Sequence, residues 1–329
     1  MKHTKKITIL HSNDLHGDFL AEQVDEKLVG GVSMLSGYIE KVRAEQPNTI
    51  YAIAGDMFRG SVIDSEYKGL STIEIMNALA PDIVTIGNHE VDYGIAHLLF
   101  IEKCARFPII NANLYIKNTP TRLFTPYKIL RVDGMNILFI GIITQDVINQ
   151  TKSESLVGSF VDTAAAAAEV GKICNAHNSI DIDFTVLLTH IGFEEDRHLA
   201  RQLDPAWGVD LIIGGHPHVV QPARVLMAED GREVPVFYSL GNFLSHQTSP
   251  ENMLGGMASV TIVKDADGTH VSEYDLQPTV NVILRNANTG WYTYRPMLLD
   301  SYSSDLAAQN RFSECTVDAM WALYEDITG

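Results

Sequence analysis

The chain has 329 residues, of which 46% are hydrophobic and 20% are charged, so it can bury a large core without cross-links. These values exclude a disordered chain, a collagen-like repeat and a small disulfide scaffold. Acidic residues number 41 against 24 Lys and Arg, which gives a formal net charge of -17. Because such a surface repels phosphate backbones and anionic lipids, we expect no nucleic-acid polymer and no membrane among the partners.

The cysteines and the N-terminus bear on the cellular compartment of the protein. Cys104, Cys174 and Cys315 lack the close spacing of a disulfide framework or a thiolate zinc site, so we expect free thiols. The basic N-terminus is followed by an apolar stretch shorter than the roughly 7–15 residues of a secretory leader. No apolar run approaches the ~20 residues of a membrane span. We therefore expect a cytoplasmic protein, with an exported one as the alternative if a leader has been removed.

The N-terminal third of the chain alternates short apolar runs with amphipathic stretches, a pattern typical of α/β proteins. In chain order, it predicts strands at 7–14, 49–56, 83–90 and 108–114, separated by helices at 31–46, 72–79 and 96–107. The helix at 72–79 should end before Pro81, because proline cannot continue a helix.

The rest of the chain is richer in predicted strands. Asp133-Gly134 stands between two apolar runs and predicts a tight hairpin. Further along, the pattern predicts helices at 163–177 and 193–203, strands at 184–192, 209–216 and 234–243, and a closing helix near 304–327. It also predicts a pair of antiparallel strands over 257–276 that turns at Asp267-Gly268. Together these elements indicate an α/β sandwich with mixed sheets.

Polar residues stand at the ends of five of the predicted strands, and all of them are types that bind metals. The endings are Asn13-Asp14-Leu15-His16, Gly55-Asp56, Gly87-Asn88-His89-Glu90, Thr189-His190 and Gly214-Gly215-His216-Pro217-His218. In open α/β sheets, sites form at the carboxyl ends of strands. Asp14 and His16 are two residues apart, as are His216 and His218, so a continuing strand would direct each pair to one side.

The chemistry of these side chains favours particular ions. Carboxylate, imidazole and amide groups with no thiolate among them are typical of a site for Mn²⁺, Fe or Zn²⁺. They are less typical of a structural zinc site. The ligand-type side chains are too many for one tetrahedral site but fit two metal ions that share a bridge. Two-metal sites are used to displace groups at phosphorus.

The order D-x-H, G-D, G-N-H-E, strand-end His and G-H-x-H resembles the motif series of the calcineurin-like metallophosphoesterases. The segments LHSNDLHG, TIGNHEVDYG, LTHIG and GGHPH are similar to the N-terminal catalytic domain of the 5′-nucleotidase / 2′,3′-cyclic phosphodiesterase branch, over about residues 5–275. The resemblance implies the metallophosphatase fold, a four-layer α/β/β/α sandwich of two mixed sheets. We expect a catalytic domain at 1–285, with 286–329 as a C-terminal extension of unknown role packed on the same domain.

The resemblance also implies a role for each motif residue. One metal ion would be held by Asp14, His16 and His218, a second by Asn88, His190 and His216, and Asp56 would bridge the two. His89 is not a ligand in this family but faces the phosphoryl group, and Asp92 resembles the carboxylate that orients it. The nucleophile would be a metal-bound hydroxide, because two cations lower the pKa of bound water.

Two further residues are candidate substrate contacts. Arg59 stands three residues beyond the bridging aspartate and is suited to clamp a phosphate, although a surface ion pair explains it equally well. Asn113 stands at another strand end, where it either contacts the substrate or caps a turn.

These features predict a hydrolase of small phosphate esters with two ions of Mn²⁺, Zn²⁺ or Fe. We expect a 5′-nucleotidase-like phosphomonoesterase or a cyclic-nucleotide phosphodiesterase, with nucleotides as the favoured substrates. One alternative is a non-catalytic metal-binding or scaffold member of the fold, which the complete ligand series disfavours. Another is a relative of the capsule or poly-γ-glutamate biosynthesis proteins, because GGHPHVVQPARVL and PVFYSLGNF resemble their closing motifs.

Overall fold

Two large β-sheets pack face to face, and helices cover the outer face of each sheet. The computed structural model describes residues 5–328 except 18, 20–21, 25–26, 30, 60–61, 147–160, 178–180, 217, 229–230, 242–248, 266–267 and 286–291. The predicted four-layer sandwich of two mixed sheets is confirmed.

The strands are short and follow each other closely along the chain. They are β1 (Lys5–Ser12), β2 (Glu22–Val24), β3 (Lys27–Val29), β4 (Thr49–Ala54), β5 (Ile83–Thr85), β6 (Ile109–Ile110), β7 (Leu114–Ile116), β8 (Tyr127–Val132), β9 (Met135–Ile143), β10 (Val161–Thr163), β11 (Phe184–His190), β12 (Leu211–Ile213), β13 (Ala223–Met227), β14 (Glu233–Phe237), β15 (Leu254–Asp265), β16 (Gly268–Arg285) and β17 (Tyr292–Leu298).

Helices and 3-10 turns connect these strands. The helices are α1 (Gly31–Glu45), α2 (Val62–Tyr67), α3 (Leu70–Leu79), α4 (Ile95–Cys104), α5 (Ala166–His177), α6 (Phe193–Gln202), α7 (Pro250–Met253), α8 (Ser304–Gln309) and α9 (Val317–Thr328). The 3-10 turns are η1 (His89–Val91), η2 (Pro205–Trp207) and η3 (Leu299–Ser301). In the described part of the chain, every helix is too short or too polar to span a lipid bilayer.

Each large sheet contains a block of parallel strands. The seven-stranded sheet has the order β17-β16-β15-β1-β4-β5-β6, in which β1, β4, β5 and β6 are parallel. The six-stranded sheet has the order β13-β14-β12-β11-β9-β8, in which β14, β12, β11 and β9 are parallel. Antiparallel strands extend both blocks. Because parallel strands bring their carboxyl ends to one edge, the loops that follow them lie together there.

The core between the sheets consists of inward-facing residues of the parallel strands. Ile9 and Ala52 of the larger sheet share one buried cluster with Phe139, Val186 and Leu188 of the smaller sheet. Burial of a large apolar side chain stabilises a fold by about 1.5–3 kcal/mol. This interface therefore fixes the two sheets, and with them the ends of their strands.

Two local predictions are confirmed by the backbone. The helix before Pro81 ends at Leu79, and Ala80 adopts a left-handed conformation and donates its N–H to the carbonyl of Met76. Asp133 and Gly134 have φ of 48° and 70° and join β8 to β9, as expected for an Asp-Gly hairpin.

The C-terminal region differs from its prediction. The single helix expected near 304–327 is wrong, because α8 ends at Gln309 and α9 begins at Val317. The side chain of Asn310 accepts the N–H of Ile283 and donates to the hydroxyl of Tyr302, which ties the chain to β16 instead of continuing the helix. Met320 of α9 is buried in the cluster that contains Val282 of β16. The division of the chain at residue 285 stays a prediction.

Candidate metal centre

Backbone hydrogen bonds join the loops that follow β1 and β4. The N–H of Asp14 donates to the carbonyl of Gly55 over 3.1 Å, and the N–H of His16 donates to the carbonyl of Asp56 over 3.0 Å. From the other sheet, the N–H of His216 donates to the Asp14 carboxylate over 3.3 Å. Hydrogen bonds from backbone N–H groups therefore fix three of the predicted ligand-bearing loops to each other.

Five of the seven predicted ligands lie in an unusual backbone conformation. Asp14, His16, Asp56, His216 and His218 have φ of 53°, 52°, 53°, 102° and 55°. The expectation that strands continue through these residues is wrong, since β1 ends at Ser12 and β12 ends at Ile213. Left-handed non-glycine residues cost of order 1–3 kcal/mol each and persist where the surrounding structure holds them, often at functional sites.

A glycine makes room for the central carboxylate. A Cβ atom on Gly87 would lie 2.2 Å from Oδ1 of Asp56, so a side chain at this position would displace the carboxylate. The same oxygen accepts the N–H of His89 over 2.9 Å. The loop after β5 therefore fits directly against Asp56 because residue 87 is a glycine.

The predicted ligands form two groups that share one residue. Ligand atoms of Asp14, His16, Asp56 and His218 all lie within 4.8 Å of one another. Ligand atoms of Asp56, His190 and His216 also lie within 4.8 Å of one another and form a second group. Asn88 is buried next to His89, whose N–H binds Asp56. The structure thus brings the predicted ligand positions of five loops together, with Asp56 in both groups.

The donor set fits divalent cations. Several of these residues carry a buried polar atom that has no hydrogen-bond partner: Oδ1 of Asp14, Nε2 of His16, Oδ2 of Asp56, Oδ1 of Asn88, Nε2 of His190 and Nδ1 of His216. Buried polar atoms are normally paired, because an unpaired one costs about 1–3 kcal/mol. Oxygen and imidazole nitrogen atoms that converge in this way are suited to ions such as Mn²⁺, Fe or Zn²⁺.

The remaining ring nitrogens hold the imidazoles in place. Nδ1 of His190 lies 2.7 Å from the carbonyl of Ala54, and Nδ1 of His16 lies 3.1 Å from the carbonyl of Phe58. Each carbonyl requires a proton on Nδ1, which directs the lone pair of Nε2 into the centre. The backbone at the end of β4 and in the loop after it therefore selects the imidazole tautomer that binds metals through Nε2.

Carboxylates and imidazoles shift each other's pKa values. Burial opposes the negative charges, but His16 and His190 outweigh it and hold the pKa values of Asp14 and Asp56 below their usual range. Burial likewise opposes the positive charges, yet the neighbouring Asp14 carboxylate raises the pKa of His16 to about 9, and the charge of Asp56 raises that of His190 to about 10. Burial and the charge of His190 lower the pKa of His216 to about 4.

Metal uptake should therefore release protons. With pKa values of about 9 and about 10, His16 and His190 both hold an extra proton at pH 7, whereas a metal-binding imidazole must be neutral. We expect calorimetric titration with Mn²⁺ at pH 7, in buffers of different ionisation enthalpy, to show release of about two protons per chain. The affinity should rise with pH. Binding without proton release would contradict the raised pKa values of these two histidines in the metal-free protein.

His89 and Asp92 form the predicted pair. Nδ1 of His89 lies 2.8 Å from Oδ2 of Asp92, and the same oxygen accepts Nη1 of Arg59 over 2.5 Å. Burial opposes the charged imidazole, but the hydrogen bond to Asp92 raises the pKa of His89. Burial also raises the pKa of Asp92, but His89 and Arg59 together lower it below its usual value.

The two candidate substrate contacts differ in position. The side chain of Arg59 is 34% exposed and lies beside the His89 pair. Asn113 is fully buried, and its amide accepts the N–H of Ile143 and donates to the carbonyls of Ile143 and Ala164. These backbone bonds give no support to a substrate contact at Asn113.

Sequence reasoning gave no role to Glu90, although it belongs to the G-N-H-E motif. Its buried carboxylate accepts backbone N–H groups of Asp56, Met57, Phe58 and Gly87 at 2.9, 2.7, 3.1 and 2.5 Å. Burial and the charge of Asp56 raise its pKa to about 7, against the influence of these N–H groups. Glu90 thus clamps the β4 and β5 loops together. In the sequence, the one sign of a role for Glu90 is its place directly after the histidine of the G-N-H-E motif.

Known proteins match this chain in sequence. Residues 70–247, more than half of the chain, match the family model of the bacterial capsule synthesis protein PGA_cap. The chain is 30% identical to the 5′-nucleotidase of Mus musculus over 270 residues, which covers 73% of this chain and 46% of the mouse protein. The chain spans about half the length of the curated relatives it matches.

Solved structures share the fold. The 5′-nucleotidase precursor of Thermus thermophilus gives a TM-score of 0.69 at 23% identity, over 98% of this chain and 59% of that one. The calcineurin-like phosphoesterase YfkN of Bacillus subtilis gives 0.65 at 21% identity, over 84% of this chain and 91% of that one. The chain therefore belongs to the family of the bacterial capsule synthesis protein PGA_cap and, with the 5′-nucleotidases it resembles, to the calcineurin-like metallophosphoesterase superfamily.

Proposed function

We propose that this protein is a dinuclear metal-dependent hydrolase of small phosphate esters, with nucleotides as the favoured substrates. The observation that carries the proposal is the pair of ligand groups that share Asp56. A shared carboxylate between two imidazole-rich groups is suited to hold two cations side by side. The nucleotide preference rests on the relatives named 5′-nucleotidase.

Each group would hold one ion. Asp14, His16 and His218 would hold the first, Asn88, His190 and His216 would hold the second, and Asp56 would bind both. When bound, two divalent ions lower the pKa of water and offset negative charge on phosphoryl oxygens. Phosphoryl transfer needs positioning and charge stabilisation more than covalent help from the protein.

His89 would act on the phosphate ester itself. Because Nδ1 of His89 is hydrogen-bonded to Asp92, the proton available to a substrate is the one on Nε2. The raised pKa favours the protonated imidazole, which donates a hydrogen bond to a phosphoryl oxygen and then a proton to the leaving oxygen. Asp92 fixes the ring orientation. Arg59 would place its remaining N–H groups near the same oxygens.

The direct test is hydrolysis of simple esters. We expect the purified protein with added Mn²⁺ to hydrolyse p-nitrophenyl phosphate or bis-p-nitrophenyl phosphate, and to lose this activity after chelation. A screen of nucleoside monophosphates, diphosphates and cyclic phosphates then identifies the substrate class. If folded protein with a full metal complement hydrolyses none of these, the proposal is wrong.

A second candidate is a role in the biosynthesis of a capsule polymer. The match of residues 70–247 to the capsule synthesis family model favours it. The same assay separates the two candidates. Turnover of small esters at rates typical of enzymes supports the phosphoesterase, whereas tight metal binding without any turnover of small esters supports the polymer-related role.

A further inference from the structure

A buried carboxylate outside the predicted ligand set lies against the loops that carry the metal centre. Asp64 of α2 is fully buried. Its Oδ2 accepts the backbone N–H of Arg59 over 2.7 Å and the hydroxyl of Tyr93 over 2.8 Å, and its Oδ1 accepts the hydroxyl of Thr72 over 2.5 Å. A buried carboxylate is costly without donors, so these bonds fix its position firmly.

The groups around Asp64 belong to the loops of the site. Arg59 lies in the loop after β4, which also carries Asp56, and Tyr93 follows η1, which carries His89. Gly17 follows His16, and a Cβ atom there would lie only 2.7 Å from Cβ of Asp64. Asp64 therefore touches the three loops that extend from β1, β4 and β5.

Arg59 connects Asp64 to the phosphate-facing histidine. Its φ of 66° is in the left-handed region, which is unfavourable for an arginine and needs an external contact to hold it. The bond from its backbone N–H to Asp64 supplies that contact. The guanidinium then reaches Oδ2 of Asp92, the oxygen that also binds Nδ1 of His89.

We propose that Asp64 is a positioning residue that sets the orientation of His89 through Arg59 and Asp92. The inference rests on the proposed function, in which His89 contacts the substrate. Asp64 fixes the backbone of Arg59, the guanidinium of Arg59 fixes the carboxylate of Asp92, and that carboxylate fixes the imidazole. Loss of Asp64 releases the first member of this series without removing a predicted ligand.

A double-mutant cycle tests the route through Arg59. We expect Asp64→Ala to lower kcat on p-nitrophenyl phosphate by about tenfold or more, with the metal content unchanged. In an Arg59→Ala background, the same change should lower kcat by less than about twofold, because the route is already broken. Equal losses in both backgrounds would overturn the proposal, since Asp64 would then act independently of Arg59.

Conservative variants separate positioning from general stability. Asp64→Asn keeps an oxygen for Arg59 and Tyr93 and turns its NH₂ toward the Thr72 hydroxyl, so kcat should stay within about threefold of the unmodified protein. Tyr93→Phe and Thr72→Val each remove one bond to Asp64 that does not lead to Arg59, and we expect small changes in kcat. If Asp64→Ala does not fold, Asp64→Ser takes its place in the test. The serine hydroxyl is too short to reach Arg59, so this variant also breaks the bond to the Arg59 backbone.

A spectroscopic readout makes the test independent of turnover. In protein labelled with ¹⁵N-histidine and stripped of metal, Asp64→Ala should shift the ring resonances of His89, and Tyr93→Phe should not. Unmoved His89 resonances would overturn the positioning role even if the protein proves to be an active hydrolase. Conversely, shifted resonances without any hydrolysis would refute only the proposed function.

Discussion

Replacing Asp56 by Ala should remove nearly all hydrolysis, by about a thousandfold or more, and should empty both metal positions. Asp56 is fully buried and belongs to both ligand groups, so one substitution removes a ligand from each ion. It also leaves His190 without the carboxylate that lies 3.1 Å from its Nε2. Turnover of p-nitrophenyl phosphate and elemental analysis after equilibration with Mn²⁺ measure the two effects.

The matched control is Asp82→Asn. Asp82 accepts N–H groups of Tyr51 and Arg43 and stands at the opposite end of β5 from the metal centre. We expect it to keep the metal content and the turnover of the unmodified protein. Two tightly bound ions and normal turnover in Asp56→Ala would contradict the bridging role.

Replacing His89 should separate chemistry from metal binding. We expect His89→Ala to lower kcat by about 10²–10⁴-fold, the usual contribution of a positioned general acid, while both ions stay bound. The reason is that His89 belongs to neither ligand group, and its ring is held by Asp92 instead. Steady-state kinetics and metal analysis on the same sample check this.

His97→Gln is the control for His89. His97 lies on α4 and binds the carbonyl of Lys68, away from the ligand groups. This variant should have unchanged kcat. If His89→Ala loses its metals, His89 is a ligand and its assigned role is wrong.

Much of the site could be predicted because its residues follow the apolar strands that build the core. Asp14, Asp56 and His190 each stand at or just after the end of a buried strand, and strand ends converge by the geometry of parallel sheets. The local backbone was not predictable in the same way. Asp14 and His16 meet in a left-handed turn after β1, because hydrogen bonds to the β4 loop hold them there.

Other features depended on contacts between distant segments. In the sequence, Asp64 is an ordinary acidic residue in the first turn of a short helix, and only the fold brings it to Arg59 and Tyr93. Asn113 has the type and position of a substrate contact, but the backbone of β9 occupies its amide. The break before α9 depends on a bond between Asn310 and β16. The hydrophobic periodicity of a sequence predicts its local preference for helix or strand. These contacts between distant segments outweigh that preference.

The central claim is that two divalent ions bind side by side and share Asp56. The most direct measurement is electron paramagnetic resonance of the metal-stripped protein during stepwise addition of Mn²⁺, with elemental analysis of the product. The account predicts two ions per chain at saturation and the spectrum of a spin-coupled pair, both lost in Asp56→Ala. A single ion per chain, or two ions with the spectrum of isolated centres, would contradict it.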